Sequence, residues 1–175
     1  MRKIHLIILK VPLFTLLIIF LYSCGGKEAA PKADVLKRED MVELNRYMVQ
    51  KDKEIIENYI KRKGLVMTES PTGMWYSVIN EGILPKLTDG DRVLMEYECS
   101  LLDGTLCYTS ANTGPKEFIL GHSQMEAGLV QGLKLLGRGG EAMFILPPFL
   151  SYGLTGDGKK IPPRSIIMYK VEVLK

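Results

Sequence analysis

Most residue types that make and break bonds are scarce or poorly placed in this 175-residue chain. Of its two histidines, His5 lies in an apolar N-terminal segment, which leaves His122 alone on a loop. Histidine metal clusters and most His-based triads therefore lack their parts. Cys99 or Cys107 with His122 would form a nucleophile pair, but no loop of oxyanion donors accompanies them and strand packing explains both thiols. Asp89 and Asp91 flank Gly90 and read as a turn before a strand rather than as an acid pair. The glycines at 153, 156 and 158 lack the lysine and the strand-to-helix setting of a phosphate loop. No metal and no cofactor is implied. What is dense instead is tyrosine among aliphatic residues, in DGTLCYTS (103–110), FILG (118–121), LPPFLSYG (146–153) and IPPRSIIMYKVEV (161–173). These stretches describe a small antiparallel sheet closing over an apolar, Tyr-edged pocket, which suits binding better than attack on a reactive bond.

The elements that must position that pocket read as follows. Strands are predicted over Met74–Asn80, Arg92–Leu102, Thr105–Thr109, Glu117–Leu120, Ala142–Leu146 and Ile166–Val173, with one short helix over Ala127–Leu136 bounded by Gly137, Gly139 and Gly140. Five or six strands and a short helix argue an α+β fold, a sheet wrapped over one helix. Asp103-Gly104 is a strong hairpin signal. A type I′ turn there would put Leu102 opposite Thr105, Ser100 opposite Cys107 and Cys99 opposite Tyr108. The two thiols would then face opposite sides of the ribbon, so free buried cysteines are expected rather than a disulfide. Upstream, 34–63 reads as one long helix without internal Gly or Pro, stopped by Gly64. Its apolar residues, Met41, Val42, Leu44, Met48, Val49, Ile55, Ile56, Tyr59 and Ile60, form a stripe interrupted at Lys51-Asp52-Lys53. That stripe must bury against the chain's own domain, another partner or a second copy, and a homodimer through the 34–63 helix is one expectation.

The first 23 residues combine Arg2, Lys3 and Lys10 with an apolar run, Val11 to Tyr22, containing Pro12. The run is too short for the ~20 residues a membrane span needs and reads as a signal peptide. It ends Leu21-Tyr22-Ser23-Cys24-Gly25, which resembles a bacterial lipobox and makes Cys24 the expected lipidated first residue of the mature chain. Residues 24–33 then form a tether. The expected location is the cell envelope, lipid-anchored on the outer membrane and facing the periplasm. Removing residues 1–23 takes away three of the 23 basic side chains and none of the 20 acidic ones, leaving 23 − 3 = 20 against 20. A chain with zero net charge has no overall basic footprint for nucleic acid.

Across 74–175 the ordered pieces VLMEYEC, LLDGT, FILG, GLVQGL, GEAMFILPPFLSYG and IPPRSIIMYKVEVL resemble the FKBP-type peptidyl-prolyl isomerases. The layout of lipobox, charged helix and this domain is similar to gliding-motility-associated lipoprotein members of that family. The resemblance implies an FKBP-like sheet over a short helix and a pocket for proline-containing polypeptides. Within it, Tyr97, Tyr152 and Glu126 would act on the prolyl bond, and Cys107, Tyr108, Phe118, Met125, Leu129, Ile161 and Tyr169 would hold the substrate. Three positions depart from the family pattern: Leu129 replaces a tryptophan floor, Cys107-Tyr108 a Phe-Asp pair, and Glu126 an aliphatic residue. In the family, the residue at the Glu126 position contributes its backbone N–H, so its side chain is free to point to water. Loss of the indole at Leu129 costs about 1–3 kcal/mol of substrate binding.

Such a pocket would catalyse rotation without a nucleophile. An Xaa-Pro amide rotates through a twisted state over a barrier of ~20 kcal/mol. Moving the planar, more polar state from water into an apolar cleft raises its energy relative to the twisted one. Two functions are open on the sequence: a membrane-anchored isomerase assisting folding of exported proteins, or a catalytically weak binding or chaperone module of an envelope or gliding-motility assembly.

Overall fold

The computed structural model describes residues 37–175. The expected signal peptide, the expected lipidation at Cys24 and the expected tether fall on residues outside those described. The chain divides into two units, Met1–Met41 and Val42–Lys175. Of the first, only the opening of helix α1 (Arg38–Lys63) is described. The strands are β1 (Thr68–Glu69), β2 (Trp75–Asn80), β3 (Arg92–Leu101), β4 (Leu106–Thr109), β5 (Lys116–Ile119), β6 (Glu141–Leu146) and β7 (Ile167–Val173). Helix α2 (Ser110–Thr113) follows β4, and α3 (Ala127–Leu133) follows β5. The fold is α+β, and its sheet has seven strands in the order β1-β2-β6-β7-β3-β4, with β5 also on β3. The two-residue β1, the single turn α2 and a 3-10 turn at Pro148–Leu150 go beyond the sequence reading. Each is too short to carry a periodic signal.

Every strand pairing is antiparallel. Alternation of side chains decides which residues face α3. From β6 and β7, Ala142, Phe144, Leu146, Ile167, Tyr169, Val171 and Val173 are buried in the main core with Leu129 and Leu133 of α3. Residues of opposite parity, Ile145 and Met168, instead meet Ile56 and Tyr59 of α1. The sheet thus has α3 on one face and the second half of α1 on the other, so of the partners left open for the α1 stripe its second half takes the chain's own domain. Ile56 and Tyr59 lie three apart, one helical turn, and are 1% and 6% exposed. Burial of an aliphatic side chain such as Ile56 stabilises by about 1.5–3 kcal/mol. The first half of the stripe is not covered: Val42, Leu44, Tyr47 and Val49 are exposed, as is Ile55. At the C-terminal end, Gly64 adopts φ +64 and Leu65 N–H donates to Ile60 C=O, the left-handed stop expected of that glycine.

The hairpin differs from its predicted form. Gly104 has φ +95, but Asp103 is not among the positive-φ residues, so the turn is not type I′. Asp103 Oδ1 accepts Thr105 N–H and Leu101 N–H donates to Thr105 C=O, a type I turn closing through a glycine bulge. Cys99 still pairs with Tyr108, but Ser100 pairs with Leu106 rather than Cys107. That one-residue shift brings both thiols into the same core, 0% and 1% exposed, where they had been expected on opposite faces. They are free.

Candidate active site

Five elements converge on an open cavity of about 200 Å³, several times the ~30 Å³ share of a water molecule and room for a five-membered ring. Met95 and Tyr97 come from β3, Tyr108 from β4, Lys116 from β5, Leu129 from α3 and Tyr169 from β7, and Tyr152 closes the edge from the loop after the 3-10 turn. Tyr97 and Tyr169 tilt against each other with ring centroids 6.2 Å apart, a spacing typical of favourable aromatic pairs. Leu129, 1% exposed, is the only aliphatic group that α3 presents to the cavity.

The structure therefore brings Tyr97, Tyr108, Leu129, Tyr152 and Tyr169 together, and keeps other predicted residues back. Phe118 is 7% exposed in the core. On the same face of β5, Lys116, paired with Met95, reaches the cavity instead. The family resemblance placed Phe118 at the pocket, whereas the residue two places before it on the same face stands at the mouth. Cys107 is drawn inward by the bulge, its Sγ 3.7 Å from the carbonyls of Thr105 and Lys160. Ile161 is buried in the core, and Met125 packs at its margin. Met95 and Lys116 are the two lining residues that sequence reasoning missed; the pairing of β5 with β3 is a tertiary fact that no local pattern announces.

Tyr108 donates a short hydrogen bond to Asp157 Oδ2, and Asp157 Oδ1 accepts the N–H groups of Lys159 and Ile161, each at 2.8 Å. Burial opposes ionisation of Asp157, but these donors outweigh it and hold the carboxyl at about 2. The same bond, assisted by burial, pushes the Tyr108 phenol up to about 12. Asp157 thereby ties the 153–161 loop to the Tyr108 wall. Burial likewise pushes the Cys99 thiol up to about 12, which keeps it from acting as a nucleophile near neutrality.

The other wall is polar in a way the sequence did not suggest. The Glu126 side chain, which the resemblance left free to extend into water, instead accepts from Tyr169 on Oε1 at 3.1 Å. A carboxylate only accepts, so Tyr169 gives its proton to Glu126 and offers its oxygen to Tyr152, whose hydroxyl lies 3.4 Å away. Burial foremost, with the adjacent Glu126 adding to it, raises both phenols above their ordinary value, so both remain donors. The long contact leaves the Tyr152 proton free to turn to another acceptor. No described residue accepts the backbone N–H of Glu126. A hydroxyl donor thus edges a cavity walled by four tyrosines, and Glu126, bonded to one of them, keeps a backbone N–H without an acceptor among the described residues, an arrangement fit for binding a peptide.

The family model described as FKBP-type peptidyl-prolyl cis-trans isomerase matches residues 85–174. The FKBP-type 22 kDa peptidyl-prolyl cis-trans isomerase of Escherichia coli is 33% identical over 163 residues, covering 86% of this chain and 76% of that protein. A probable FkpA isomerase of Neisseria meningitidis is 36% identical over 139 residues, covering 77% of this chain. The chain spans about half the length of that relative, 50%. Among solved structures, FkpA from Escherichia coli superimposes with a TM-score of 0.63 at 31% identity, over 78% of this chain and 63% of that one. Shared sequence over most of the chain and a shared fold lead to one assignment: the chain belongs to the FKBP-type peptidyl-prolyl cis-trans isomerase family.

Proposed function

We propose that this chain is a peptidyl-prolyl cis-trans isomerase acting on exported, proline-containing polypeptides, and that a lipid on Cys24 holds it at the membrane. The observation that carries the isomerase reading is the open cavity of Tyr97, Leu129, Tyr152 and Tyr169, edged by the Tyr152 hydroxyl, which lies a long 3.4 Å from that of Tyr169. A prolyl ring seated against Leu129 and Tyr97 leaves the preceding amide between the Tyr152 hydroxyl and the Glu126 N–H. Those donors grip substrate carbonyls. The apolar walls disfavour the planar, charge-separated amide relative to the twisted one, so stabilisation is greater in the transition state. Lowering the barrier by ~4 kcal/mol accelerates rotation by ~10³.

NMR exchange on a Leu-Pro or Phe-Pro peptide tests this with wild type, Tyr152→Phe and Leu129→Trp. Exchange well above the blank, reduced in Tyr152→Phe, supports the reading; exchange no faster than the blank sinks it. The anchor is supported by the LYSC motif after an apolar run. Cys24→Ser should release the protein from membranes, and continued retention would count against lipidation.

A second reading, a catalytically weak binding or chaperone module of an envelope or motility assembly, is favoured by two features. The floor is Leu129 alone, and the first half of α1 exposes Val42, Leu44, Tyr47 and Val49. Recovery of exchange only in Leu129→Trp would select it. The same exposed row is where a second copy would pair, and sedimentation of wild type against Leu44→Glu distinguishes a dimer from a monomer.

A further inference from the structure

Glu126 occupies the N-cap of α3, where a side-chain oxygen ordinarily accepts a helix N–H, yet it makes no capping hydrogen bond. Its carboxylate turns instead beneath the cavity wall formed by Tyr169 and Tyr152. Oε1 takes the Tyr169 proton, and Oε2 is the one buried side-chain polar atom among the described residues with no partner. No described lysine or arginine forms an ion pair with it. Shielding a carboxylate oxygen from water without a donor is costly, and here neither a cap nor a salt bridge compensates. The oxygen is left for something that arrives.

We propose that Glu126 is a specificity-determining residue of the isomerase site, receiving on Oε2 a lysine or arginine side chain adjacent to the substrate proline. This rests on the isomerase reading above. Glu126 lies directly behind two cavity-lining phenols. Oε2 is buried behind these rings, so the substrate side chain reaches it as the Tyr152 ring swings outward to bring its hydroxyl to a substrate carbonyl. The far wall cannot take a cation: Lys116 lines the cavity there, and Lys160 lies 5.3 Å above the Tyr108 ring. A cationic side chain is therefore repelled from the Tyr108 side and attracted to the Glu126 side. The bond it forms is charge-assisted and shielded, stronger than a neutral donor would supply. A leucine at that substrate position leaves Oε2 bare, and a glutamate is repelled.

The test uses the full chain with four peptides that differ only in the residue before proline: lysine, arginine, leucine or glutamate. Turnover is read by NMR exchange and binding separately by calorimetry. Glu126→Gln keeps an acceptor for Tyr169 and the shape of the side chain while removing the charge. Wild type is expected to favour lysine and arginine over leucine by about tenfold, ~1.4 kcal/mol, and Glu126→Gln by less than about twofold. Glu126→Lys should reverse the order toward glutamate. Efficient turnover with the same ranking in wild type and Glu126→Gln overturns this proposal and leaves the isomerase reading intact. Binding that favours lysine only in wild type, with no turnover of any peptide, upholds the preference and overturns the isomerase reading.

Discussion

Asp52 and Arg164 join α1 to the loop that carries Tyr152 and Ile161, and their unequal burial makes a sharp prediction. Arg164 Nη2 lies 3.0 Å from each Asp52 oxygen, and its guanidinium also touches the Met48 sulfur. The backbone of Arg164 donates to Gly153 C=O, and its φ of +56 is the one positive value outside glycine among the described residues. The two side chains are exposed to 10% and 32% for Asp52 and Arg164 respectively. Arg164→Ala strands a nearly buried carboxylate and should destabilise by about 3 kcal/mol. Asp52→Ala leaves a guanidinium that can turn to water, at about 1 kcal/mol. Urea unfolding of both variants and the double mutant at pH 7 measures the difference and the coupling. Burial already raises the Asp52 carboxyl against the opposing effect of Arg164, so removing the arginine raises it further. The folded variant then holds its proton to a higher pH than its unfolded chain does, and its deficit should shrink on acidification from pH 7. Equal losses, a larger loss for Asp52→Ala, or a deficit that grows on acidification would refute the reasoning.

Gly132→Ala should destabilise despite a helix-propensity gain of about 1 kcal/mol. A Cβ there would stand 2.7 Å from the Phe144 ring, and overpacking of this kind costs about 1–3 kcal/mol; thermal unfolding reads the sign. The Asp157 carboxyl, near 2 in the fold against an ordinary 3.8, binds fewer protons folded than unfolded between those values. Its stabilising contribution should be complete above pH 4 and lost as pH falls through about 2, and Asp157→Asn should flatten that part of the acid-unfolding profile. Cys99, fully buried with its thiol near 12, should resist iodoacetamide at pH 8 in the native state and react on unfolding. Rapid native alkylation at that site, located by mass spectrometry, would contradict the burial.

The amino-acid sequence by itself determined those features that repeat locally. Alternation marks the buried face of β7, the 3.6-residue period marks α1, and Gly64 and Asp103-Gly104 mark where the chain stops and turns. The family resemblance added Tyr97, Leu129, Tyr152 and Tyr169 as neighbours. Tertiary structure alone decided where Glu126 points, because its partner Tyr169 is 43 residues away, and a cap position accommodates either orientation. The same holds for Lys116 rather than Phe118 at the cavity mouth, and for Arg164 reaching back 112 residues to Asp52. Periodicity constrains which side of a strand or helix is covered, since that repeats every two or 3.6 residues. It carries no information about which distant group will stand opposite a given side chain, and that pairing decides whether a carboxylate meets water, a phenol or a substrate.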